Sequence, residues 1–164
     1  MALTPLSDAL ATLLAQVDLT PGTERVALEA ASGRYAAEAV HSTLSVPPAD
    51  NSAMDGYAVR TGDLPAVQRV SQRIPAGSAP SALEPGTAAR IFTGAEIPQG
   101  ADAVVLQEDA EQVDEGVRLP EARGGQHIRR RGGDIQPGQQ LVAAGRYLRP
   151  QDIGLLASVG VDAV

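Results

Sequence analysis

Three polar segments of the sequence carry residue types that suit the binding of ions. The first reads DNSAMDGYAV and begins at Asp50. Its two carboxylates, Asp50 and Asp55, bracket a turn of small residues, and Gly56 would allow a positive φ directly after Asp55. Such a loop would direct an acid out of a sheet edge towards a ligand. The alternative, which the residues alone favour, is a capped turn in which Asp50 and Ser52 bond nearby backbone amides.

The second segment joins a strand to a loop and then to another strand. It begins at Arg90 and reads RIFTGAEIPQGADAVV. The hydroxyl of Thr93 and the free amides of the turn at Gly94 could hold an oxyanion. An ordinary strand–loop–strand connection explains the same residues without a ligand, and for this segment alone it is the simpler explanation.

The third segment reads IRRRGGDI and begins at Ile128. Adjacent guanidiniums repel one another unless anions are near, and arginine binds phosphate through a planar, bidentate fork. If this segment is extended, Arg129 and Arg131 share a face and Arg130 lies on the other. Asp134 could coordinate a cation or fix one arginine. The alternative is a local network of ion pairs between these arginines and the acids Asp134, Glu108 or Glu111.

The composition argues against several other kinds of site. The 164 residues include no cysteine, which excludes disulfides and thiolate chemistry. The formal net charge of −7 opposes general nucleic-acid binding, so RNA binding through the arginines ranks last among the functions considered. His41 and His127 belong to no metal-binding or phosphate-binding motif and are predicted to be structural or surface residues.

The sequence also carries no signal of a membrane or secreted protein. No stretch approaches the ~18 consecutive apolar residues of a membrane span. The N-terminus lacks the basic region and long apolar run of a signal peptide. We therefore expect a soluble, cytoplasmic protein with neither a membrane nor a nucleic acid as partner.

The elements around the polar segments predict a mainly β chain with a few short helices. The 17 glycines and 12 prolines indicate many turns and short elements. Short apolar runs predict strands at 57–60, 67–71, 89–93, 103–107, 112–113 and 117–119, with a hairpin turn at 114–116. Their spacing suits a small β-barrel or sandwich-like unit, and of the two we expect a small barrel-like, β-rich domain.

The two ends of the chain predict a mixed α/β unit. Apolar residues share one face of a first helix with Ser7 as its N-cap; they are Leu6, Leu10, Leu13, Leu14 and Val17. Further strands are predicted at 26–28, 36–41, 141–142 and 147–148, and a short helix at 29–33.

A last helix is predicted to open at Pro150. Its inward face would carry Ile153, Leu156 and Ala157. The apolar residues at 161–164 begin an element that the chain does not continue, and we take this as a sign of a fragment.

In this order, the three polar segments resemble the molybdopterin molybdenumtransferase family, which includes the E domain of gephyrin. The family pattern is close to D-N-S-x-M-D-G-Y-A, then R-I-x-T-G-A-x-x-P-x-G-x-D-x-V-V-x-Q-E, then I-R-x-x-G-x-D. Here the segments read DNSAMDGYA, RIFTGAEIPQGADAVVLQE and IRRRGGD. The resemblance spans roughly residues 5 to 164. Where the family often has an acid before the final Asp, this chain has Gly133, which leaves Asp134 as the candidate carboxylate.

The resemblance implies a division of the chain and a reaction. Residues 1–44 and 138–164 would form a discontinuous mixed α/β linker and dimerisation domain, and residues 45–137 an inserted β-rich domain. The family enzyme inserts molybdate into adenylylated molybdopterin and releases AMP, with a divalent cation such as Mg²⁺. Its active cleft lies between the subunits of a homodimer, and a following α/β domain forms the other wall. This chain alone is therefore expected to be inactive.

The resemblance also assigns roles to individual residues. Asp55 and Thr93 would be catalytic, and Asp55 and Asp134 would bind the metal. The substrate would be bound by Ser52, Arg129, Arg130 and Arg131. Gln107 and Glu108 are weaker candidates at the end of a strand.

The partners implied are a second copy of the chain and a small pterin or nucleotide substrate. The molybdopterin adenylyltransferase is a further candidate partner. The alternative function is a non-catalytic dimerisation or docking module of the gephyrin E-domain type.

Overall fold

The computed structural model describes residues 4–17 and 22–164, which form a mainly β structure with two α-helices. The helices are α1 (Leu6–Ala15) and α2 (Pro150–Ser158). The strands are β1 (Val40–His41), β2 (Asn51–Ser52), β3 (Gly56–Val59), β4 (Ala66–Ile74), β5 (Thr87–Ile91), β6 (Ala103–Leu106), β7 (Glu111–Val113), β8 (Gly116–Leu119), β9 (Ile128–Arg129) and β10 (Gln140–Val142). Short 3-10 helices span Leu28–Ala30, Thr61–Asp63 and Gln107–Asp109. The predicted fold class is confirmed.

Six strands form one curled, half-barrel sheet in the order β6–β3–β5–β4–β8–β7. All neighbours run antiparallel except β4 and β5, which are parallel. The C-terminal ends of β4, β5 and β6 and the N-terminal end of β3 therefore lie together at one end of the sheet, here called its edge. The six strands predicted for this region are all present, and the predicted hairpin joins β7 to β8.

The strands β3, β5 and β6 are buried on both faces of this sheet, and alternate residues along them point to opposite sides. On β3, Tyr57 and Val59 belong to one apolar core, whereas Ala58 belongs to the other. On β6, Ala103 and Val105 face the first core and Val104 the second. The end of the sheet where these strands meet is thus packed against an apolar core on each side.

A third core joins the two ends of the chain, with Leu28 and Ala36 packed against residues such as Val142, Leu148 and Leu156. β1 pairs with β10 beside it. Segment 26–28 pairs with segment 162–164 through three backbone hydrogen bonds of 2.8–3.0 Å. The division into a linker domain (1–44 and 138–164) and an inserted domain (45–137) stays a prediction, with which these separate cores are compatible.

Several elements of the end regions differ from prediction. Pro5, not Ser7, is the N-cap of α1, and the Ser7 hydroxyl donates to Asp8 instead. The strand predicted at 36–41 is shorter and consists of β1 alone. In place of the strand predicted at 147–148 there is an isolated bridge between Tyr35 and Tyr147. In place of the strand predicted at 26–28 there is a bridge at Ala27. The helix predicted at 29–33 is observed as a 3-10 turn at 28–30. Isolated bridges with a few backbone hydrogen bonds around them replace continuous ladders at these places.

The predicted last helix is present as α2. Leu156 is buried and Ile153 half-buried, but Ala157 is exposed, so its predicted inward position is wrong. The helix instead packs through the side that carries Asp152 and Leu156. Among the described residues, neither α-helix is long and apolar enough to cross a membrane.

Candidate functional site

The first polar segment lies between the other two and is hydrogen-bonded to both. β2 pairs antiparallel with β9, which begins the arginine segment. On the other side, the Ser52 N–H donates to the Ala95 carbonyl at 2.8 Å, and the Ser52 carbonyl accepts the Gly94 N–H at 2.9 Å. Asn51 bridges to Glu96 on one side and pairs with Arg129 on the other, so the loop after Thr93 and the arginine segment flank the same strand. The fold thus brings all three segments together at one place.

Asp55 and Thr93 are joined directly at the edge of the large sheet. Oδ1 of Asp55 accepts the Thr93 N–H at 2.8 Å and the Thr93 hydroxyl at 2.7 Å. Within the described ranges, Oδ2 of Asp55 has no hydrogen-bond partner. Because the hydroxyl proton is given to Asp55, the oxygen of exposed Thr93 keeps only lone pairs for a ligand. The pair therefore presents acceptor oxygens, which suit a cation.

The charge of Asp55 is fixed by the same contacts. The Thr93 backbone N–H, followed by the Thr93 hydroxyl, holds the pKa of Asp55 below its usual range, and the nearby charge of Arg90 adds to this effect. Asp55 is therefore a carboxylate at neutral pH. This state favours a role as a ligand or acceptor and disfavours a role as a proton donor.

A second Asp–Thr pair shows what a purely structural arrangement looks like. Asp102 accepts the Thr61 N–H on Oδ1 and the Thr61 hydroxyl on Oδ2, both at 2.7 Å. It lies at the far end of the β3–β6 pair, because Val59 pairs with Ala103 there. Both carboxylate oxygens of Asp102 accept hydrogen bonds from Thr61, whereas only one carboxylate oxygen of Asp55 accepts hydrogen bonds from Thr93. The other oxygen of Asp55 is available for a ligand.

Gly56 is required by a close approach of two backbones and not, as the sequence predicted, by a positive φ. Its φ does not lie in the left-handed region, so the expectation of a positive φ is wrong. A Cβ at this position would instead lie 2.0 Å from the Val105 carbonyl oxygen. Glycine is needed here because the backbones of β3 and β6 approach closely.

Ser52 supports the loop from inside. Its residue is only 1% exposed, and its hydroxyl donates to the Met54 carbonyl at 2.6 Å and accepts the Met54 N–H at 3.4 Å. This arrangement matches the capped-turn alternative for Ser52. Its substrate-binding role stays a prediction, and the hydroxyl is already used within the turn.

Two of the three consecutive arginines are paired with acids. Arg129 contacts Asp134 at 2.6 Å and Arg130 contacts Asp50 at 2.6 Å. The backbone N–H of Arg131 donates to Asp50 at 2.8 Å, but its guanidinium has no ion pair among the described residues. β9 ends at Arg129, so the expected alternation of faces does not continue to Arg131. The ion-pair alternative therefore holds for Arg129, which pairs with Asp134. Arg130 pairs instead with Asp50, an acid that was not among the expected partners, and the Arg131 side chain is left available.

Asp50 is the acid that ties the arginine segment to the first polar segment. The Arg131 backbone N–H, with the Arg130 side chain, holds the pKa of Asp50 below its usual range. The glutamates considered as partners bond elsewhere, since Glu108 accepts from Gln107 and Glu111 pairs with Arg118. Of the two histidines, His41 is exposed on β1, whereas half-buried His127 has a φ of 53° and its carbonyl accepts the Ala53 N–H at 2.9 Å.

The residues present could bind a divalent cation only if a substrate or another part of the protein supplied further ligands. No group of three or more His, Cys, Asp or Glu side chains able to hold a metal occurs within residues 4–17 and 22–164. Asp55 offers one oxygen, and Asp134 offers the oxygen that Arg129 does not contact. One or two carboxylates together with substrate phosphates are a common environment for Mg²⁺.

Arg90 is a structural part of the site to which the sequence gave no role. Its guanidinium donates to the Gly56 carbonyl at 2.8 Å and the Ile91 carbonyl at 3.1 Å, and it also bonds the Gln107 side chain. The Gln107 N–H in turn donates to the Asp55 carbonyl at 3.2 Å. Arg90 is the first residue of the second polar segment, so the sequence drew attention to its position. Its partners could not be predicted, because they come close to Arg90 only through the pairing of the strands.

Comparisons with known proteins agree on one family. The family model of the MoeA N-terminal region, domains I and II, matches residues 4–160. Molybdopterin molybdenumtransferases are similar: that of Nostoc sp. is 43% identical over 89% of this chain and 36% of its own length. That of Haemophilus influenzae is 39% identical over 97% of this chain and 41% of its own length.

A solved structure agrees with this result. The crystal structure of the molybdopterin biosynthesis MoeA protein from Pyrococcus horikoshii OT3 superposes with a TM-score of 0.88 at 33% identity, and the match covers 99% of this chain and 45% of that one. The chain thus spans about two fifths of the length of the curated relatives it matches. By sequence and by structure, the chain belongs to the family of the MoeA N-terminal region.

Proposed function

We propose that this chain supplies one wall of the active cleft of a molybdopterin molybdenumtransferase, which converts molybdate and adenylylated molybdopterin to the molybdenum cofactor and AMP. The observation that carries the proposal is the Asp55–Thr93 pair, which presents unused acceptor oxygens beside the arginine segment. The names of the relatives support the reaction class. The chain accounts for 36–41% of their length, so the other wall is proposed to belong to the rest of a full-length protein.

In this proposal, Asp55 and Asp134 bind a divalent cation such as Mg²⁺ together with substrate oxygens. The ionised state of Asp55 supports this role, because hard cations prefer carboxylate oxygens. When bound, the cation would neutralise charge on the phosphates of the substrate. Thr93 keeps the carboxylate oriented and directs its own oxygen to the same side.

The arginine segment would bind the anionic part of the pterin substrate. Arg131 is the arginine best placed to do so, since its guanidinium is not paired with an acid in the described part of the chain. Arg129 and Arg130 would first exchange Asp134 and Asp50 for the substrate. Ser52 would contribute mainly by holding the loop.

The test compares two Asp–Thr pairs in a full-length protein. Asp55→Ala and Thr93→Ala are each expected to lower the rate of cofactor formation more than about tenfold, a change of roughly 1.4 kcal/mol in the barrier. Asp102→Ala removes the corresponding acid at the other end of the same strands and is expected to retain most of the activity. The rate is measured with molybdate and adenylylated molybdopterin, and circular dichroism checks the fold. Wild-type turnover in both site variants, correctly folded, would disprove the proposed roles.

The alternative is a dimerisation or docking module. It is favoured by α1, which buries none of its residues and leaves Leu10, Leu13 and Leu14 at 53%, 62% and 63% exposure. If the chain acts only in this way, Asp55→Ala would leave its function unchanged. A homodimer, the adenylyltransferase as partner and a cytoplasmic location remain predictions under either function.

A further inference from the structure

Most arginines of this chain are paired with acids, and three of the four exceptions belong to the polar segments of the candidate site or contact Phe92 beside them. The sequence has 13 basic residues, all arginine, and nine of them form ion pairs within residues 4–17 and 22–164. The four without such a pair in these ranges are Arg73, Arg90, Arg123 and Arg131. Arg131 belongs to the arginine segment already described, whereas Arg73 and Arg90 lie together at the end of the parallel strand pair.

Arg73 and Arg90 are cross-strand neighbours that share one aromatic ring. They are register partners in β4 and β5. The guanidinium carbon of Arg73 lies 4.7 Å from the centre of the Phe92 ring, and that of Arg90 lies 4.5 Å from it. Phe92 directly precedes Thr93, and its N–H donates to the Ile74 carbonyl at 3.3 Å. The two charges are thus fixed one residue away from the Asp55–Thr93 pair.

The charges of this arrangement favour the binding of an anion. Two guanidiniums that contact one ring carry like charges, and an anion bound beside them would balance these charges. Arg90 donates its N–H groups to two carbonyls and Gln107. Exposed Arg73 has no hydrogen-bond acceptor in the part of the chain that the structure describes. Its planar donor fork is therefore available for an oxyanion.

We propose that Arg73 and Arg90, held by Phe92, form a second anion-binding point, here called the arginine ledge, which takes phosphate oxygens of the substrate. The inference rests on the proposed function and deepens it: Arg131 and the arginine ledge would contact different parts of a substrate that contains a phosphoanhydride. Arg73 provides the free fork, while Arg90 links the ledge to the Asp55 loop through Gly56.

The test is a calorimetric titration of this chain with inorganic pyrophosphate at low ionic strength. Arg73→Gln is expected to weaken binding about tenfold or more, as for loss of a charged, bidentate contact. Arg69→Gln serves as the matched control, since Arg69 lies on the same strand but is paired with Glu84 at 2.7 Å. It is expected to bind within about twofold of the wild type. Thermal unfolding of both variants confirms that they are folded.

A second titration with AMP distinguishes the source of the phosphate. A loss of AMP affinity in Arg73→Gln would assign the nucleotide phosphate to the ledge, and a loss confined to pyrophosphate would assign the pterin-side phosphate. Both results support the ledge. It is overturned if the wild-type chain binds neither probe, or if Arg73→Gln binds both as tightly as the wild type.

The outcome can be separated from that of the proposed function. If Arg73→Gln binds and reacts normally while Asp55→Ala abolishes cofactor formation in the full-length protein, the ledge is wrong and the proposed function stands. If pyrophosphate binding depends on Arg73 but Asp55→Ala and Thr93→Ala react at the wild-type rate, the ledge stands and the proposed catalytic roles are wrong.

Discussion

Gly56 directly follows Asp55 and lies where the backbones of β3 and β6 approach most closely. Gly56→Ala would place a methyl group 2.0 Å from the Val105 carbonyl oxygen, which is backbone and cannot turn aside as a flexible side chain could. The strands would have to separate, and overpacking of this kind costs about 1–3 kcal/mol. We therefore expect a correspondingly lower free energy of unfolding, measured by urea denaturation.

Gly62→Ala is the control for this change. No atom lies within 4 Å of a Cβ built on Gly62, and its φ is not in the left-handed region. Its stability is expected to stay close to that of the wild type or to rise slightly, because alanine restricts the unfolded chain. Equal stability of Gly56→Ala and the wild type would show that the strand contact is not as close as described.

At the same scale, the sequence identified the acids and the threonine of the candidate site but not their partners. Asp55 and Thr93 stood out because they occupy turns between predicted strands. That Asp50 pairs with Arg130 could not be predicted, because the two residues are 80 positions apart and meet only through β2 and β9. Arg73 gave no signal at all, since its meeting with Phe92 requires the parallel β4–β5 pair.

At the scale of elements, α2 depends on one buried acid at its N-terminus. Asp152 accepts the Arg149 N–H at 3.0 Å and also contacts the guanidiniums of Arg149 and Arg146 at 3.0 and 2.9 Å. The Arg149 side chain, followed by Arg146, holds the pKa of Asp152 far below its usual range. Leu156, on the next turn, completes the third core. The acid therefore fixes the start of the helix that closes this core.

Asp152→Asn tests this dependence through pH. A carboxyl whose pKa is lower in the folded state stabilises the fold at any pH above its unfolded pKa, near 3.8, and this contribution is lost as pH falls towards the folded pKa. The variant is therefore expected to have a lower Tm than the wild type at pH 7, with the difference nearly constant down to about pH 5 and shrinking below about pH 4. Differential scanning calorimetry across this range measures it.

Asp162→Asn provides the comparison for this element. Asp162 is also paired with an arginine, but its side chain is 90% exposed and lies 3.7 Å from Arg25. Such a pair contributes little, so its Tm should match that of the wild type at every pH. A Tm difference for Asp152→Asn that does not change with pH would contradict the role of the ionised carboxylate.

The elements themselves were predicted with uneven success, for a physical reason. Strands of the large sheet were found because their apolar runs and turn residues are local signals. The parallel pairing of β4 with β5 was not predicted. The two strands are joined by a connection of 12 residues between Ile74 and Thr87, and no local sequence pattern indicates how such a connection orients the strands. The strands predicted near residues 26–41 were too long, since their pairing with the C-terminal part is limited to isolated bridges and the two-residue β1–β10 pair.

At the scale of the whole molecule, the described residues form well-packed cores but leave one large apolar surface uncovered. The three cores include residues of most strands and of α2. α1 buries none of its residues, although its leucines lie at helical spacing. Exposed leucines at such spacing are typical of an interface, and burial of apolar area contributes about 25 cal/mol per Å². The sequence predicted the apolar face correctly, but the chain supplies nothing that covers it among its described residues.

The predicted homodimer gives this face an occupant and yields a test. Because Leu10 and Leu14 are 53% and 63% exposed, replacing both by glutamate would leave the described cores intact while placing charges in the interface. The wild-type chain is expected to sediment as a dimer and the Leu10→Glu, Leu14→Glu double variant as a monomer. Leu44→Glu changes a leucine outside the helix that is 50% exposed and should remain dimeric. A monomeric wild type, or a double variant that still dimerises, would show that α1 does not form the interface, and the docking-module alternative would lose the observation that favours it.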